Sequence, residues 1–333
     1  METAAMIKEG KKVAILIALV FALLFMVTFT GIMRCSDMPL IGEAWCNVYW
    51  GIKGFATGGP KVLIVYGESG LGNPVGLGNG SLEELLADPE ILGVHADTLP
   101  IESANFGNLK GYDIVIVDRA KEIETRQLRA FIDYAMQPTG GILVWTGDAG
   151  TLLGPEDHYL YTQEKDPETD ENRIIGPWAR KDNDLMISFD ELLGVRTVNN
   201  EKATFCELTA CPNGTPFLAG NLITEPSGNH RLIRGISRTL PLYAFKGEDF
   251  GVVETISGSN TMEVLSLDFG SGIDAAGRDL NRSIPMIVTS GIGERVVYYA
   301  LPPEYYANPK LEAFGKGRYF LPIENLYYGN LKG

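Results

Sequence analysis

The sequence predicts an α/β fold: one N-terminal transmembrane helix, then a flavodoxin-like, doubly wound domain with a mostly parallel sheet and a β-rich C-terminal extension. Three observations support this prediction. An uncharged apolar run occupies residues 13–33. Between residues 61 and 150, short apolar runs alternate with amphipathic segments, which is typical of a parallel sheet covered by helices. Later runs such as "FGVVETI" and "TMEVLSLDF" follow one another without long helical segments, which indicates additional strands.

The N-terminal run from Val13 to Met33 has 21 residues and no charge. With a rise of about 1.5 Å per residue, it can cross a hydrocarbon core of about 30 Å. The run is longer than a secretory apolar region, and no small-x-small cleavage site follows it, so we expect an uncleaved anchor. Lys8, Lys11 and Lys12 precede the run, whereas only Arg34 follows it closely. The positive-inside rule therefore predicts a single-pass protein of the cell membrane with a cytoplasmic N-terminus and an extracytoplasmic main domain.

A stripe of small residues runs along the predicted transmembrane helix. Ala14, Ala18 and Ala22 are spaced four residues apart and share one helix face. Such a stripe lets a second transmembrane helix approach closely. We therefore expect the partners to be other membrane or cell-surface protein subunits.

Residues 34–60 are predicted to form a juxtamembrane connector. Trp45, Tyr49 and Trp50 follow the apolar run closely and would suit the outer membrane interface as aromatic anchors. The main domain then extends over residues 61–333, and its residues 151–184 are polar enough to predict an irregular acidic insertion.

Four cysteines occur as two close pairs, which predicts the disulfides Cys35–Cys46 and Cys206–Cys211 in an oxidising compartment. Three N-x-[ST] sequons are consistent with the same compartment. These predicted glycosylation sites are Asn79, Asn213 and Asn281.

Charge and motif patterns exclude nucleic acid and nucleotide as partners. The formal net charge is −14 and the pI is near 4.8, whereas a nucleic-acid surface needs clustered Lys and Arg. The glycine-rich loop after residue 66 has neither the G-x-G-x-x-G spacing nor the Lys and Ser or Thr of a phosphate loop. Its glycines are interpreted as turn residues of a crossover loop.

A candidate site comes from the predicted topology, because ligands of open parallel sheets lie beyond the carboxyl ends of the strands. Glu68, Asp118 and Asp148 follow three predicted strands, and Arg119 adjoins Asp118. The favoured interpretation is a salt-bridged rim with Arg119 as the neutralising partner. The alternatives are a site for a glycan or for a cation such as Ca²⁺, and a hydrolase with Asp148 as nucleophile and His158 as base. No resident metal or cofactor is predicted.

Four blocks carry a resemblance to a known superfamily: "LRAFIDYAMQPTGGILVWTGDAG", "LMISFDELLGVRTVNN", "HRLIRGISRTLPLYAF" and "IPMIVTSGIGERVVYYALPPEYY". Through them, residues 61–330 resemble the class I glutamine amidotransferase-like superfamily, and are similar to its non-catalytic members, the β-galactosidase trimerisation domains and the ThuA-like proteins. Catalytic members place a Cys on a sharp turn after a strand, with a downstream His and Glu. Here "TGDAG" places Asp148 at that turn, and no His-x-Glu pair occurs.

The resemblance therefore implies a pseudoenzyme that lacks glutaminase chemistry. Taken with the anchor, it predicts a membrane-anchored, extracytoplasmic, non-catalytic domain that acts as a structural or interaction subunit of a cell-surface or membrane complex. The two alternatives are a surface hydrolase that uses Asp148 and a glycan- or cation-binding module.

Overall fold

The computed structural model describes residues 2–29, 35, 41–57, 59–76, 80–137, 141–165, 172–182, 185–199, 213–226, 228–245, 248–256, 261–268 and 283–332. Two helices precede the α/β domain, α1 (Glu2–Phe29) and α2 (Gly42–Thr57). Within α1, the stretch Lys11–Phe29 is long and apolar enough for a membrane span or a signal sequence. Helix α2 lies in the predicted connector, where the sequence analysis placed no helix.

The α/β domain contains the following helices and strands in chain order. Its helices are α3 (Leu82–Ala87), α4 (Phe106–Leu109), α5 (Thr125–Met136), α6 (Phe189–Leu193), α7 (Leu321–Glu324) and α8 (Asn330–Lys332). Its strands are β1 (Val62–Ser69), β2 (Ala96–Pro100), β3 (Ile114–Ala120), β4 (Glu122–Ile123), β5 (Ile142–Thr146), β6 (Leu152–Leu153), β7 (His158–Tyr159), β8 (Tyr161–Lys165), β9 (Asn172–Ile174), β10 (Ala179–Asp182), β11 (Leu185–Ser188), β12 (Val195–Asn199), β13 (Phe217–Thr224), β14 (Thr239–Ala244), β15 (Val252–Thr255), β16 (Met262–Asp268), β17 (Ser283–Ser290) and β18 (Val296–Tyr299).

Nine strands form one sheet in the order β14-β13-β16-β17-β18-β5-β3-β1-β2. The five strands β2, β1, β3, β5 and β18 are parallel, and their order is the flavodoxin-like 2-1-3-4-5. The α/β class is therefore confirmed. The crossovers β1–β2 and β3–β5 leave in opposite directions, so right-handed connections place α3 and α5 on opposite faces of the sheet.

The remaining pairings of this sheet, from β18 outward to β14, are antiparallel. The sheet is thus mixed, and the predicted C-terminal extension continues the same sheet as its second half. The reason is local: only residues 291–295 separate β17 from β18. A connection this short can form a hairpin, whereas a parallel pairing needs a crossover of a dozen or more residues.

The strands of the parallel half are buried as their composition predicts. Residues 62–65 of β1 and 114–118 of β3 are all buried. Their β-branched side chains fit a pleated surface that is covered on both faces. The core formed by these strands holds the carboxyl ends of β1, β3 and β5 close together in one rigid frame.

The described part of the predicted irregular insertion, residues 151–184, contains the five short strands β6 to β10. Two of its side chains, Trp178 and Arg180, are fully buried. Arg180 donates hydrogen bonds to the carbonyl oxygens of Ile123, Gly150 (2.5 Å) and Leu152 (3.1 Å), and an ion pair joins it to Asp157. This single guanidinium ties the insertion to the turn that follows β5. The polar composition of residues 151–184 therefore did not predict the strands and buried side chains of the described part of this insertion.

Candidate functional site

The loop after β1 lies across the carboxyl ends of the neighbouring parallel strands. The N–H of Arg119 donates to the carbonyl of Leu71 (3.0 Å), at the end of β3. The N–H of Leu71 donates to Oδ1 of Asp148 (2.8 Å), beyond the end of β5. In flavodoxin-like sheets the region beyond β1 and β3 is the topological switch point, where ligands bind. Here residues 70–73, called the covering loop below, occupy that region.

Two glycines allow this close approach. Gly72 has φ +125°, and a Cβ built on it would lie 2.7 Å from both carboxylate oxygens of Asp118. Gly70 has φ +114°, and its Cβ would lie 2.9 Å from Oδ1 of Asp148. A side chain at either position would collide with a carboxylate. The glycines of the loop therefore serve to bring the main chain onto the protein's own acidic groups.

Beneath the covering loop lies a pair of fully buried carboxyl groups, Asp118 and Glu304. Oδ1 of Asp118 accepts a hydrogen bond from the Thr146 hydroxyl (2.9 Å), and Oε1 of Glu304 accepts one from the N–H of Asn73 (2.9 Å). Oδ2 of Asp118 and Oε2 of Glu304 have no hydrogen-bond donor from the rest of the chain, so we infer that the two carboxyl groups share a proton through these oxygens.

Burial is the main cause that raises the pKa of Asp118, to about 7. Burial also raises the pKa of Glu304 well above its usual range, and the charge of Asp118 raises it further. Two carboxylates side by side in a low-dielectric interior cannot both ionise cheaply, so one of them keeps its proton. Glu304 is thus the hydrogen-bond donor and Asp118 the acceptor.

Arg119 fastens the covering loop from outside. Its guanidinium donates to the carbonyl oxygens of Gly72 (3.3 Å) and Glu68 (2.9 Å). The predicted role was that of an ionic partner for the rim carboxylates. These hydrogen bonds go to the main chain, and the positive charge of Arg119 also acts to lower the pKa of Asp118. Arg119 also has φ +52°, a left-handed conformation that a non-glycine residue adopts at a cost of about 1–2 kcal/mol. The packing around it must offset that strain.

Asp148 is 5% exposed, and both of its carboxylate oxygens have partners. Oδ1 accepts from Leu71, and Oδ2 lies 3.7 Å from Nζ of Lys121. Among the described residues, the non-glycines with positive φ are Arg119 and Glu294, so the left-handed position of this turn belongs to Gly147 (φ +54°). Asp148 therefore has neither the strained backbone nor the accessibility of a nucleophile on a sharp elbow.

The side chains of the other two predicted site residues are not among the contacts of this cluster, although the carbonyl oxygen of Glu68 is. The side chain of Glu68 is exposed and lines a groove of about 360 Å³ together with Glu102 and Glu122. His158 is exposed on β7 and lines a separate groove of about 750 Å³ with Glu156 and Lys181. The structure thus brings together Asp118, Arg119 and Asp148 around the covering loop, but not the side chains of Glu68 or His158.

The remaining predicted sites divide between described and undescribed residues. Cys35 and Cys46 form a disulfide. Asn213 is exposed in a turn. Across the described part of the chain, no group of three acidic, His or Cys side chains is arranged to hold a metal ion. The predicted pair Cys206–Cys211 and the sequons at Asn79 and Asn281 lie outside the described residues.

Sequence reasoning missed three residues of the site: Lys121, Glu304 and Tyr305. Tyr305 accepts a hydrogen bond from the N–H of Gly72 (3.2 Å) through its hydroxyl. One signal was available for Glu304, because the strand-end rule that selected Asp118 and Asp148 also applies to β18. Glu304 lies five residues beyond Tyr299, where that strand ends.

No protein-family model matches the sequence, and no curated protein matches it. Solved structures with a similar fold include a ThuA-like protein from Bacteroides uniformis, with 16% identity, a TM-score of 0.46, and coverage of 81% of this chain and 90% of that one. A β-galactosidase from Rahnella sp. R3 has 13% identity and a TM-score of 0.44; 81% of this chain matches 30% of the enzyme. The carbohydrate deacetylase Agd3 has 10% identity and a TM-score of 0.39, with 82% and 32% coverage.

Proposed function

We propose that this protein is a membrane-anchored, extracytoplasmic, non-catalytic domain with an amidotransferase-like fold, which acts as a structural or interaction subunit of a cell-surface or membrane complex. The observation that carries the proposal is the closed topological switch point. Asp118 and Glu304 are 0% exposed, and the covering loop lies over them.

A substrate would have to displace the covering loop to reach these carboxyl groups. That movement would break the hydrogen bonds from Leu71 to Asp148, from Gly72 to Tyr305 and from Asn73 to Glu304. Each buried polar group that loses its partner without gaining another costs about 1–3 kcal/mol, and more where a charge is involved. A general acid or base must lie within hydrogen-bond reach of its substrate. The covered arrangement therefore favours a structural role for the carboxyl groups of Asp118, Asp148 and Glu304.

The membrane part of the proposal is supported by helix α1. Large apolar side chains in its apolar stretch, such as Ile15, Leu19 and Leu23, are 61–64% exposed. Water is an unfavourable solvent for a continuous surface of this kind, whereas a bilayer core is its natural medium. Lys11 and Lys12 at the start of the stretch favour the cytoplasm for the N-terminus.

The anchor and its orientation are tested by expression of the full chain, followed by alkaline carbonate extraction and protease treatment of sealed vesicles. We expect the chain to remain in the membrane pellet after extraction. In right-side-out vesicles, protease should digest the domain after α2 and leave a small protected fragment that contains α1. Release of the full chain by carbonate, or protection of the domain in these vesicles, would contradict this part of the proposal.

The non-catalytic role is tested on protein extracted in mild detergent, by chemical cross-linking and identification of stoichiometric neighbours. We expect a defined membrane or surface protein that cross-links to both the wild type and an Asp148→Asn variant. The hydrolase alternative predicts substrate turnover by the isolated chain that Asp148→Asn abolishes and Glu312→Gln, at an exposed carboxylate, preserves. The ligand-binding alternative predicts saturable binding of Ca²⁺ or an oligosaccharide to the isolated chain by calorimetry, which an exposed-rim variant, Glu68→Gln, weakens.

A further inference from the structure

We propose that α2 is embedded in the outer leaflet of the membrane, where its exposed apolar side contacts lipid directly. This inference rests on the membrane anchor proposed above and concerns a surface that the anchor alone does not explain. The surface, called the α2 lipid face, consists of Ile41, Ala44, Val48 and Ile52.

One side of α2 packs against the last turns of the apolar stretch of α1. Trp45, Cys46 and Tyr49 are buried there together with Cys35. The ring of Trp45 lies 5.1 Å from that of Phe21 between centroids, and its indole N–H donates to the Thr28 hydroxyl (2.9 Å).

Tyr49 continues this packing, because its ring lies 5.4 Å from that of Phe25. The disulfide Cys35–Cys46 ties the start of α2 to the segment that leaves α1. The aromatic residues that were predicted as separate interface anchors are therefore the packing surface between two helices. Since Phe21, Phe25 and Thr28 all lie within Lys11–Phe29, α2 sits at the depth of the end of that apolar stretch.

A neighbouring side of α2 is apolar and exposed. Ile41, Val48 and Ile52 are 41–48% exposed, and the spacing 41, 44, 48, 52 places them on one side of the helix. Asn47, also exposed, marks the polar edge of this side. A helix with one apolar side outward, next to a membrane span, has the pattern of a segment that lies at the boundary of headgroups and acyl chains.

Continuity with α1 identifies lipid as the occupant of this surface. At the level where α2 packs, the outer side of α1 exposes Leu23, Met26 and Phe29. If α1 spans the membrane, lipid surrounds these side chains. The α2 lipid face lies on a helix that is fixed to α1 at this level by a disulfide and a buried hydrogen bond, so we expect it to meet the same medium.

The second half of α2 is joined to the α/β domain. The Trp50 indole donates to the carbonyl of Leu331 (2.7 Å), and Lys53 forms an ion pair with Asp113. Asp113 immediately precedes β3, at the amino ends of the parallel strands. An embedded α2 would therefore hold the amino ends of these strands toward the membrane, and the rim with its two open grooves away from it.

The inference is tested on the full chain in lipid nanodiscs, with single cysteines introduced by Val48→Cys and, as the matched control, Asn47→Cys. Each is labelled with the environment-sensitive fluorophore NBD, and the signal of the identically treated unsubstituted chain is subtracted. We expect the probe at position 48 to be quenched by doxyl-labelled acyl chains at least threefold more strongly than the probe at position 47. Iodide in the aqueous phase should show the opposite order.

A second labelled variant, Ile52→Cys, covers the case in which Val48→Cys does not fold, and it should behave as position 48 does. Flotation of the same protein with lipid vesicles separates the two proposals. Flotation with equal iodide quenching at positions 47, 48 and 52 would overturn the embedded α2 and leave the anchor intact. A chain that does not float with vesicles would overturn both.

Discussion

Two regions of this molecule reverse the usual pattern of burial: acidic groups are buried in one, and apolar side chains are exposed in the other. At the carboxyl ends of β1, β3 and β5, the carboxyl groups of Asp118, Asp148 and Glu304 are buried under main chain. In the N-terminal helix pair, apolar side chains of α1 and α2 stand exposed. Buried polar groups and large exposed apolar surfaces are the two departures from ordinary burial that carry information. An enzyme exposes its polar groups to substrate, so this reversed distribution supports the proposal of a protein that works through contact surfaces.

The physical requirements of the two regions also differ. The buried carboxyl pair is tolerable because a shared proton and hydrogen bonds from Thr146 and Asn73 satisfy it from within the chain. The helix pair has no such internal solution, and its apolar surface needs a medium supplied from outside.

The largest expected effect concerns Arg180, which ties the insertion to the turn that carries Asp148. Substitution of Arg180 by Met leaves the carbonyls of Ile123, Gly150 and Leu152 without a donor and Asp157 without its cation. We expect the free energy of unfolding to fall by about 3–5 kcal/mol. Urea denaturation followed by tryptophan fluorescence measures the change.

The control for this prediction is Arg126→Met, which removes an ion pair at an exposed position on α5. Surface pairs contribute about 0–1 kcal/mol, so the control should remain close to the wild type. Equal losses in the two variants would show that Arg180 does not hold the closed region together.

Substitution of Gly72 by Ala should open or distort the covering loop. The new methyl group would lie 2.7 Å from both carboxylate oxygens of Asp118 and would occupy a backbone with φ +125°. The left-handed strain and the overpacking together should cost about 2–4 kcal/mol. Thermal unfolding measures the loss, and hydrogen exchange at residues 69–76 should become faster.

Gly76→Ala is the matched control, because Gly76 also has positive φ (+70°) but a Cβ there meets no atom within 4 Å. It should show only the backbone strain, about 1–2 kcal/mol. If both alanines cost the same, the close approach of Gly72 to Asp118 has no energetic consequence and the region is not tightly closed.

The carboxyl pair should make the stability of the domain depend on pH. The folded state holds protons that the unfolded chain releases above a pH of about 4, so the free energy of unfolding falls as pH rises through the raised pKa values. Each such proton contributes a slope of about 1.4 kcal/mol per pH unit within its window. Glu304→Gln removes one titrating group while its amide can still donate to Asp118.

We therefore expect Glu304→Gln to lose less stability than the wild type between pH 5 and pH 8. Glu312→Gln, at an exposed carboxylate, is the control and should keep the wild-type slope. The free energy of unfolding is measured by urea titration at each pH across this range. If it falls equally steeply with pH in the wild type and in Glu304→Gln, the pair does not share a proton.

The smallest effect is expected where α2 joins the domain. Trp50→Phe keeps an aromatic ring but removes the hydrogen bond to the carbonyl of Leu331 (2.7 Å). The loss should be about 0.5–1.5 kcal/mol. Hydrogen exchange should become faster in residues 325–332 and not in β3.

The control for Trp50→Phe is Tyr161→Phe. It likewise removes one polar atom from an aromatic side chain, but from one that is exposed. It should leave the exchange of the C-terminal segment unchanged. If Trp50→Phe has no effect there either, α2 does not hold the domain in place, and the orientation inferred for the rim loses its basis.

Features that depend on neighbours along the chain could be predicted from the sequence alone. The β-branched runs of β1 and β3 predicted buried parallel strands, and the apolar stretch within residues 13–33 predicted a helix long enough to span a membrane. The close spacing of Cys35 and Cys46 predicted their disulfide. These features follow from local composition, because a segment's periodicity and charge act over a few residues.

The state of the site and the position of α2 depend instead on contacts between distant parts of the chain. Glu304 meets Asp118 across 186 positions of the chain, and the covering loop meets Asp148 across 77. Whether carboxyl groups at a sheet edge face solvent or lie under a loop depends on such long-range packing, which no local pattern encodes. Helix α2 likewise owes its order to a surface on α1 and a carbonyl near the C-terminus, since its glycines weaken any intrinsic helical preference.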